Sequence, residues 1–222
     1  MAIQIQGNSG VVAEVDGTVY RALRVTLRPV DYGALGSYRL SMISGTMAAG
    51  LAAASDVFQA RWTDASNLAL IWGVQVDGMG GSATVFTAGF ANFKLFFSRS
   101  WSVDGSGGNS ATITGNNNKL RTAMATTSMS AIRASATAAL TAGTKTNDSQ
   151  PMGQITYAIG TTASVNYLSQ VGLYGSNSLE DGGNPAPLVL AQNEGVTVQA
   201  TVPATGTWQF GVTMSWSEVT SY

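Results

Sequence analysis

Residues 208–217 read WQFGVTMSWS, and every second position in this stretch carries a large apolar side chain. Successive side chains of a β-strand point to opposite faces, so the small and polar residues between them share the other face. A run of this kind predicts a half-buried strand whose apolar face lies in a core. The candidate residues for this core and assembly strand are Trp208, Phe210, Val212, Met214 and Trp216.

The segment just before this strand alternates in the same way, with Val196, Val198, Ala200 and Val202 on one face. The turn sequence PATG at 203–206 joins the two segments, which predicts either a hairpin or a short return between two sheets. The same pattern predicts further strands at 23–28, 38–43, 57–62, 68–76, 84–98, 155–159, 165–173 and 187–191.

Glycine- and asparagine-rich segments at 77–81, 104–109, 115–118 and 180–185 separate the predicted strands. Helix signals are scarce: 45–55 is small and alanine-rich enough for a turn or two, and 119–130 has weak helical spacing. We therefore predict an all-β chain of jelly-roll or β-sandwich type with long Gly/Asn-rich loops and little helix. It is predicted to be a single domain over 1–222, with a soft boundary near 102–118.

The composition excludes several kinds of chemistry. The chain has 222 residues with no His and no Cys, so it has no imidazole base, thiol nucleophile, disulfide or Cys/His metal site. The only adjacent acids are Glu180 and Asp181, in a loop where water would leave them with ordinary properties. We predict no catalytic residues and no enzyme activity. A net charge of −1 argues against a nucleic-acid partner.

Charged residues make up only 10% of the chain, where about 25% is usual for a soluble domain. The chain is 45% hydrophobic, which excludes disorder as the explanation, and its longest apolar stretch, 68–76, is too short for a transmembrane helix. No membrane partner is expected, and the first residues show no secretion signal. The remaining explanation is a neutral surface largely covered by neighbouring subunits.

The few charges are unevenly placed. Residues 1–145 carry 11 cations and seven acids, whereas 146–222 carry five acids and no cation. These two parts could meet across a subunit boundary, where complementary charge sets register, or could pair within one chain. Arg24 and Arg28 share a face of a predicted strand and are candidates for inter-subunit contacts with acids of a neighbour.

Three glycine-rich segments are candidate ligand sites. Residues 78–83, GMGGSA, fit a dinucleotide-binding pattern, but a strand pattern follows where a helix is needed, which favours a hairpin turn. The loops 104–109 and 180–184 have the composition of calcium ligands without the spacing of an EF-hand. We predict no metal and no cofactor, with calcium as the one possible ion.

Trp101 is the candidate for a glycan contact. It stands beside Arg99 and just before a glycine loop, a context compatible with exposure, but structural packing is the favoured interpretation. An exposed aromatic face can stack on a pyranose ring.

Residues 188–213, LVLAQNEGVTVQATVPATGTWQFGVT, resemble the C-terminal part of a family of virion structural proteins of tailed bacteriophages. QGNSGVVAEVD at 6–16 and RALRVTLRP at 21–29 are similar to the N-terminal part of that family. AGTKT at 142–146 and QPMG at 150–153 also resemble it, so the likeness touches both ends and the middle. None of these motifs is catalytic.

The resemblance implies a virion protein that assembles in the cytoplasm of the bacterial host. We expect a non-enzymatic, capsid-associated protein of the decoration or head-fibre type that associates with copies of itself. A trimer or ring is favoured, because closed symmetry covers edge strands. Other expected partners are virion proteins such as the major capsid protein or tail components. The alternative is a tail or receptor-binding module that recognises host-surface glycans.

Overall fold

A computed structural model describes residues 35–48, 51, 55–80, 87–159, 166–175 and 187–221. Contacts divide the chain into two compact units, Met1–Asp31 and Tyr32–Tyr222, and all the described residues belong to the second. The predicted strand at 23–28, the candidate contacts Arg24 and Arg28, and the loop at 180–185 lie outside the described residues. The single-domain prediction over 1–222 therefore stays a prediction.

The described residues form thirteen β-strands and no helix, which confirms the all-β prediction. The strands are β1 (Gly36–Ile43), β2 (Met47–Ala48), β3 (Ser55–Trp62), β4 (Leu68–Gly80), β5 (Gly89–Val103), β6 (Asn109–Ala111), β7 (Ala131–Ala134), β8 (Thr144–Asn147), β9 (Gly153–Ile159), β10 (Asn166–Gly175), β11 (Leu188–Leu190), β12 (Glu194–Thr201) and β13 (Thr207–Val219).

These strands build two antiparallel sheets. Sheet 1 has six strands in the order β1-β13-β4-β10, with β11 beside β4 and β2 beside β13. Sheet 2 has seven strands in the order β6-β7-β3-β12-β5-β8, with β9 also on β5. Since β12 belongs to sheet 2 and β13 to sheet 1, the PATG turn at 203–206 is a return between sheets and not a hairpin.

The two sheets pack face to face around one apolar core, so the fold is a β-sandwich. Phe93 of sheet 2 reaches across to sheet 1, with its ring centroid 6.0 Å from that of Trp208 and 6.2 Å from that of Phe210. Alternation along β5 supplies the sheet 2 side of the core, because Ala91, Phe93, Leu95 and Phe97 are all buried.

One predicted break is wrong, and neither of the two weak helix signals corresponds to a helix. The segment 77–81 does not end its strand, because β4 continues to Gly80. At Gly78 the backbone has φ +155 and a Cβ would stand 2.6 Å from the Gln209 carbonyl, so glycine here allows close strand pairing and not a turn. In 45–55, the helix is replaced at Met47–Ala48 by β2, which pairs with Trp208.

The weak helix at 119–130 is also absent. Its first residues lie against the edge of β1, where Lys119 bridges Tyr38 and the Leu120 amide donates to the Ser37 carbonyl. Sequence-distant strand edges thus satisfy the backbone groups that a helix would have paired locally. Among the described residues no helix is long and apolar enough to cross a membrane.

Candidate functional site

The predicted core strand lies inside the sandwich. Trp208, Phe210, Val212, Met214 and Trp216 are each 0–2% exposed, and Tyr38 of β1 stacks on Trp216 with centroids 5.4 Å apart. These side chains hold the two sheets of one chain together. The outer faces of the sheets are therefore the surfaces left for partners and ligands.

Trp101 is buried, which agrees with the favoured alternative of structural packing and not with the exposed glycan contact. Its side chain is 1% exposed, its Nε1 donates to the Val103 carbonyl at 3.1 Å, and the Lys145 ammonium lies 4.8 Å from its ring centroid. The ring packs over Gly195, where an added Cβ would stand 2.8 Å from it. The local sequence around Trp101 does not show that its ring is covered, because the covering residue, Lys145, comes from a strand that is distant in the sequence.

The Lys145 side chain belongs to a buried ion pair on the outer side of sheet 2. Its Nζ lies 2.6 Å from Oδ2 of Asp56, and the two side chains are only 3% and 4% exposed. Gln59 donates to the same carboxylate at 2.7 Å and Gln199 donates at 2.9 Å. The carboxylate of Asp56 is thus occupied on both oxygens, as in a structural ion pair and unlike a free acid–base group.

A second buried acid, Glu218, binds the segment that precedes β7 through hydrogen bonds from Thr127 and Ser128. Its carboxylate accepts hydrogen bonds from the Thr127 hydroxyl, from the Ser128 amide at 3.1 Å and from Trp216 Nε1 at 3.2 Å. Burial, together with the charge of Glu218, raises the pKa of Tyr38 to about 12. Tyr38 therefore stays neutral at ordinary pH and donates to the Ala125 carbonyl at 2.9 Å.

Several charges that sequence analysis set apart pair within the chain. Arg99, from the basic part, contacts Asp148 at 2.9 Å and Glu194 at 3.2 Å, both from the acidic part. Arg61 contacts Asp104 at 2.9 Å, which places the acid of the loop 104–109, whose composition resembles that of calcium ligands, in an ion pair. Within the described residues, no group of three or more acids is placed to hold a metal ion.

The outer face of sheet 2 around Asn92 carries uncharged side chains, and Lys94, the next outward residue of β5, is the charge that borders it. Asn92 lies between Thr156 of β9 and Thr201 of β12, and Phe90 lies opposite Ala158. Phe90, at the beginning of β5, is 65% exposed beside Ala158, an unusual position for a large aromatic side chain. We call this surface, consisting of Phe90, Asn92, Thr156, Ala158 and Thr201, the neutral face.

The outer face of sheet 1 carries a cleft of about 290 Å³. The residues around it come from four adjacent strands, since Arg39 is on β1, Ser215 on β13, Trp72 on β4 and Tyr174 on β10. Sequence analysis did not find this cleft, because it depends on strand register between residues more than a hundred positions apart.

No protein-family model matches the chain, and no curated protein matches it significantly.

Proposed function

We propose that the chain is a non-enzymatic structural protein of a bacteriophage particle that works by associating with copies of itself. The neutral face is the observation that carries this proposal. It joins an exposed aromatic side chain, Phe90, to small uncharged residues on neighbouring strands. A second subunit that covers the five residues of the neutral face and leaves Lys94 in water at the border does not remove water from a charge, which would cost several kcal/mol for each unpaired ion.

The surroundings of the neutral face favour a repeating contact. Among the described strands β9 pairs only with β5, and Gln154, Thr156 and Ala158 are exposed along it, while Leu173 of β10 approaches its beginning at Gly153. A strand at a sheet edge presents backbone donors and acceptors to a second chain. Closure into a trimer or ring covers all such edges, whereas an open arrangement leaves one uncovered at each end.

The pairing of the acids supports the non-enzymatic part of the proposal. Among the described carboxylates, Asp56 and Glu218 are buried and fully engaged, and Asp148 and Glu194 share Arg99. Acid–base chemistry on a substrate requires a carboxylate that lies in an open cleft and has an oxygen atom without a protein partner. None of these four carboxylates meets both requirements.

Sedimentation velocity of the purified chain and two matched variants tests the contact. Phe90→Asp puts a charge on the neutral face, whereas Leu120→Asp puts the same charge at a loop residue of equal exposure (65% and 64%). We expect wild type and Leu120→Asp to form the same closed oligomer and Phe90→Asp to sediment as a monomer. A monomeric wild type, or equal dissociation of both variants, would refute the proposal.

The alternative function, a receptor-binding module for host glycans, needs an aromatic face that a sugar can reach. Trp101 does not provide one, because it is buried beneath Lys145. Sedimentation of the Phe90→Asp variant also separates self-association from glycan recognition. A receptor-binding module does not need the neutral face to bind a glycan.

A further inference from the structure

Both members of the Asp56–Lys145 ion pair on sheet 2 are shielded from water. The two side chains are 4% and 3% exposed, and Lys145 Nζ lies 2.6 Å from Asp56 Oδ2. Every other ion pair among the described residues includes a side chain that is about half exposed. An amine and a carboxyl group are the reactants of an amide bond, so this pair holds two reactive groups in contact and excludes bulk water.

Neighbouring groups hold both reactive groups in place. On the amine side, Nζ donates to the Ala142 carbonyl, and the centroid of the Trp101 ring lies 4.8 Å from Nζ. On the carboxyl side, Gln199 donates to Oδ1 at 2.9 Å and Gln59 donates to Oδ2 at 2.7 Å. Donors that point at carboxyl oxygens stabilise the negative charge that develops there when a nucleophile attacks the carbon.

The same neighbours satisfy the hydrogen bonds of an amide in place of the ion pair. The amide oxygen, which is Oδ1 of Asp56, accepts from Gln199, and the amide N–H donates to the Ala142 carbonyl. Gln59 loses Oδ2 as an acceptor but still donates to the Thr141 carbonyl at 2.9 Å. Condensation also removes two buried charges, whose separation from water costs free energy. The surroundings therefore accommodate the product as well as the reactants.

We propose that Lys145 and Asp56 condense after folding to an isopeptide, which is an amide bond between their side chains. The ammonium group passes one proton to Oδ2, and the lone pair of the resulting amine forms a bond to Cγ of Asp56. The Cγ–Oδ2 bond breaks with its electron pair on Oδ2, which takes a second proton from the nitrogen and leaves as water. One ammonium and one carboxylate thus become one secondary amide and one water, with no oxidant and no co-reactant.

An isopeptide at this position fixes two strands that are distant in the sequence. It joins β3 to β8 across β12 and β5, between residues 89 positions apart. A cross-link that closes a loop of this length stabilises a fold by restricting the unfolded chain. The chain has no Cys and cannot form a disulfide. An amide bond supplies the same kind of cross-link without an oxidising compartment.

The intact mass of the denatured wild-type chain tests the proposal. We expect a single chain that is lighter than its sequence by one water molecule. Trypsin then locates the bond, because Lys145 is the last cation of the sequence and trypsin does not cleave after an acylated lysine. We expect one branched peptide that joins residues 40–61 to residues 134–222, with no cleavage between 145 and 146.

Two matched variants assign the loss of water to this pair. Lys145→Arg keeps a cation beside Asp56, but a guanidinium group is delocalised and does not form the amide, so this chain should have its full sequence mass. Lys94→Arg makes the same exchange at a half-buried lysine of sheet 2 and should still lose one water. A Lys145→Met chain lacks the amide and the ion pair together, so the ion pair sets the smallest stability loss expected of it.

A wild-type chain with its full sequence mass would overturn the proposal. A loss of water confined to the peptide 40–61 would also overturn it, because a cyclic imide at Asp56 has the same mass as the cross-link and leaves Lys145 open to trypsin. The inference does not rest on self-association, since both residues belong to one chain. Phe90→Asp distinguishes the two proposals, because it should lose the oligomer and keep the loss of water.

Discussion

Replacement of Lys145 by Met tests the buried ion pair on sheet 2. Methionine keeps an unbranched apolar stem over Trp101 and removes the ammonium group that lies 2.6 Å from Asp56. The Asp56 side chain is 4% exposed, so its charge would remain buried without a cation. Such a change costs about 3–5 kcal/mol of unfolding free energy. We expect the lower end, because Gln59 and Gln199 still donate to the carboxylate.

Urea denaturation followed by tryptophan emission measures this loss. Lys94→Met is the matched control, since Lys94 is half-buried on the same sheet and the ion pairs among the described residues do not include it. It should change stability by no more than about 0.5 kcal/mol. A double-mutant cycle with Asp56→Asn should give a coupling energy of about 2 kcal/mol. Equal costs for Lys145→Met and Lys94→Met would refute the reasoning.

Three further predictions concern the sheet 1 side. Between pH 10 and about 12 the unfolded chain loses the Tyr38 proton while the folded chain keeps it. The contribution of Tyr38 to the free energy of unfolding should therefore fall by about 1.4 kcal/mol per pH unit as the pH rises. The Tyr38→Phe variant should lack this slope when denaturation is measured at each pH. Glu218→Gln should cost about 1–3 kcal/mol and speed proteolysis near Thr127, because a charged acceptor of three donors is lost. Gly78→Ala should cost about 1–3 kcal/mol in thermal denaturation, whereas Gly175→Ala, in open space, should stay within about 0.5 kcal/mol.

Local alternation predicts the strands well where one face is wholly apolar. The run at 208–217 lies within β13, and its five large side chains lie in the core as the period of two requires. The same signal places strands at 38–43, 57–62 and 68–76, close to β1, β3 and β4. These predictions hold because burial against the opposite sheet is the dominant free-energy term for such residues.

The errors share one physical cause, which is that distant parts of the chain override local preference. Gly78 looks like a turn residue, but the close approach of Gln209 makes it a strand residue. Trp101 stands in a polar, glycine-rich context, yet Lys145 and Gly195 bury it. The cleft of sheet 1 depends on register shifts that put Trp72 out of step with its neighbours, which a period of two does not reveal.

We propose that this chain is a repeated structural component of a phage particle. Quantitative mass spectrometry of purified particles, with the major capsid protein as internal reference, tests it most directly. The account predicts many copies per particle, in a ratio to the capsid protein that fits complete trimers or rings. Absence of the chain from purified particles, together with its presence in the lysate, would contradict the account.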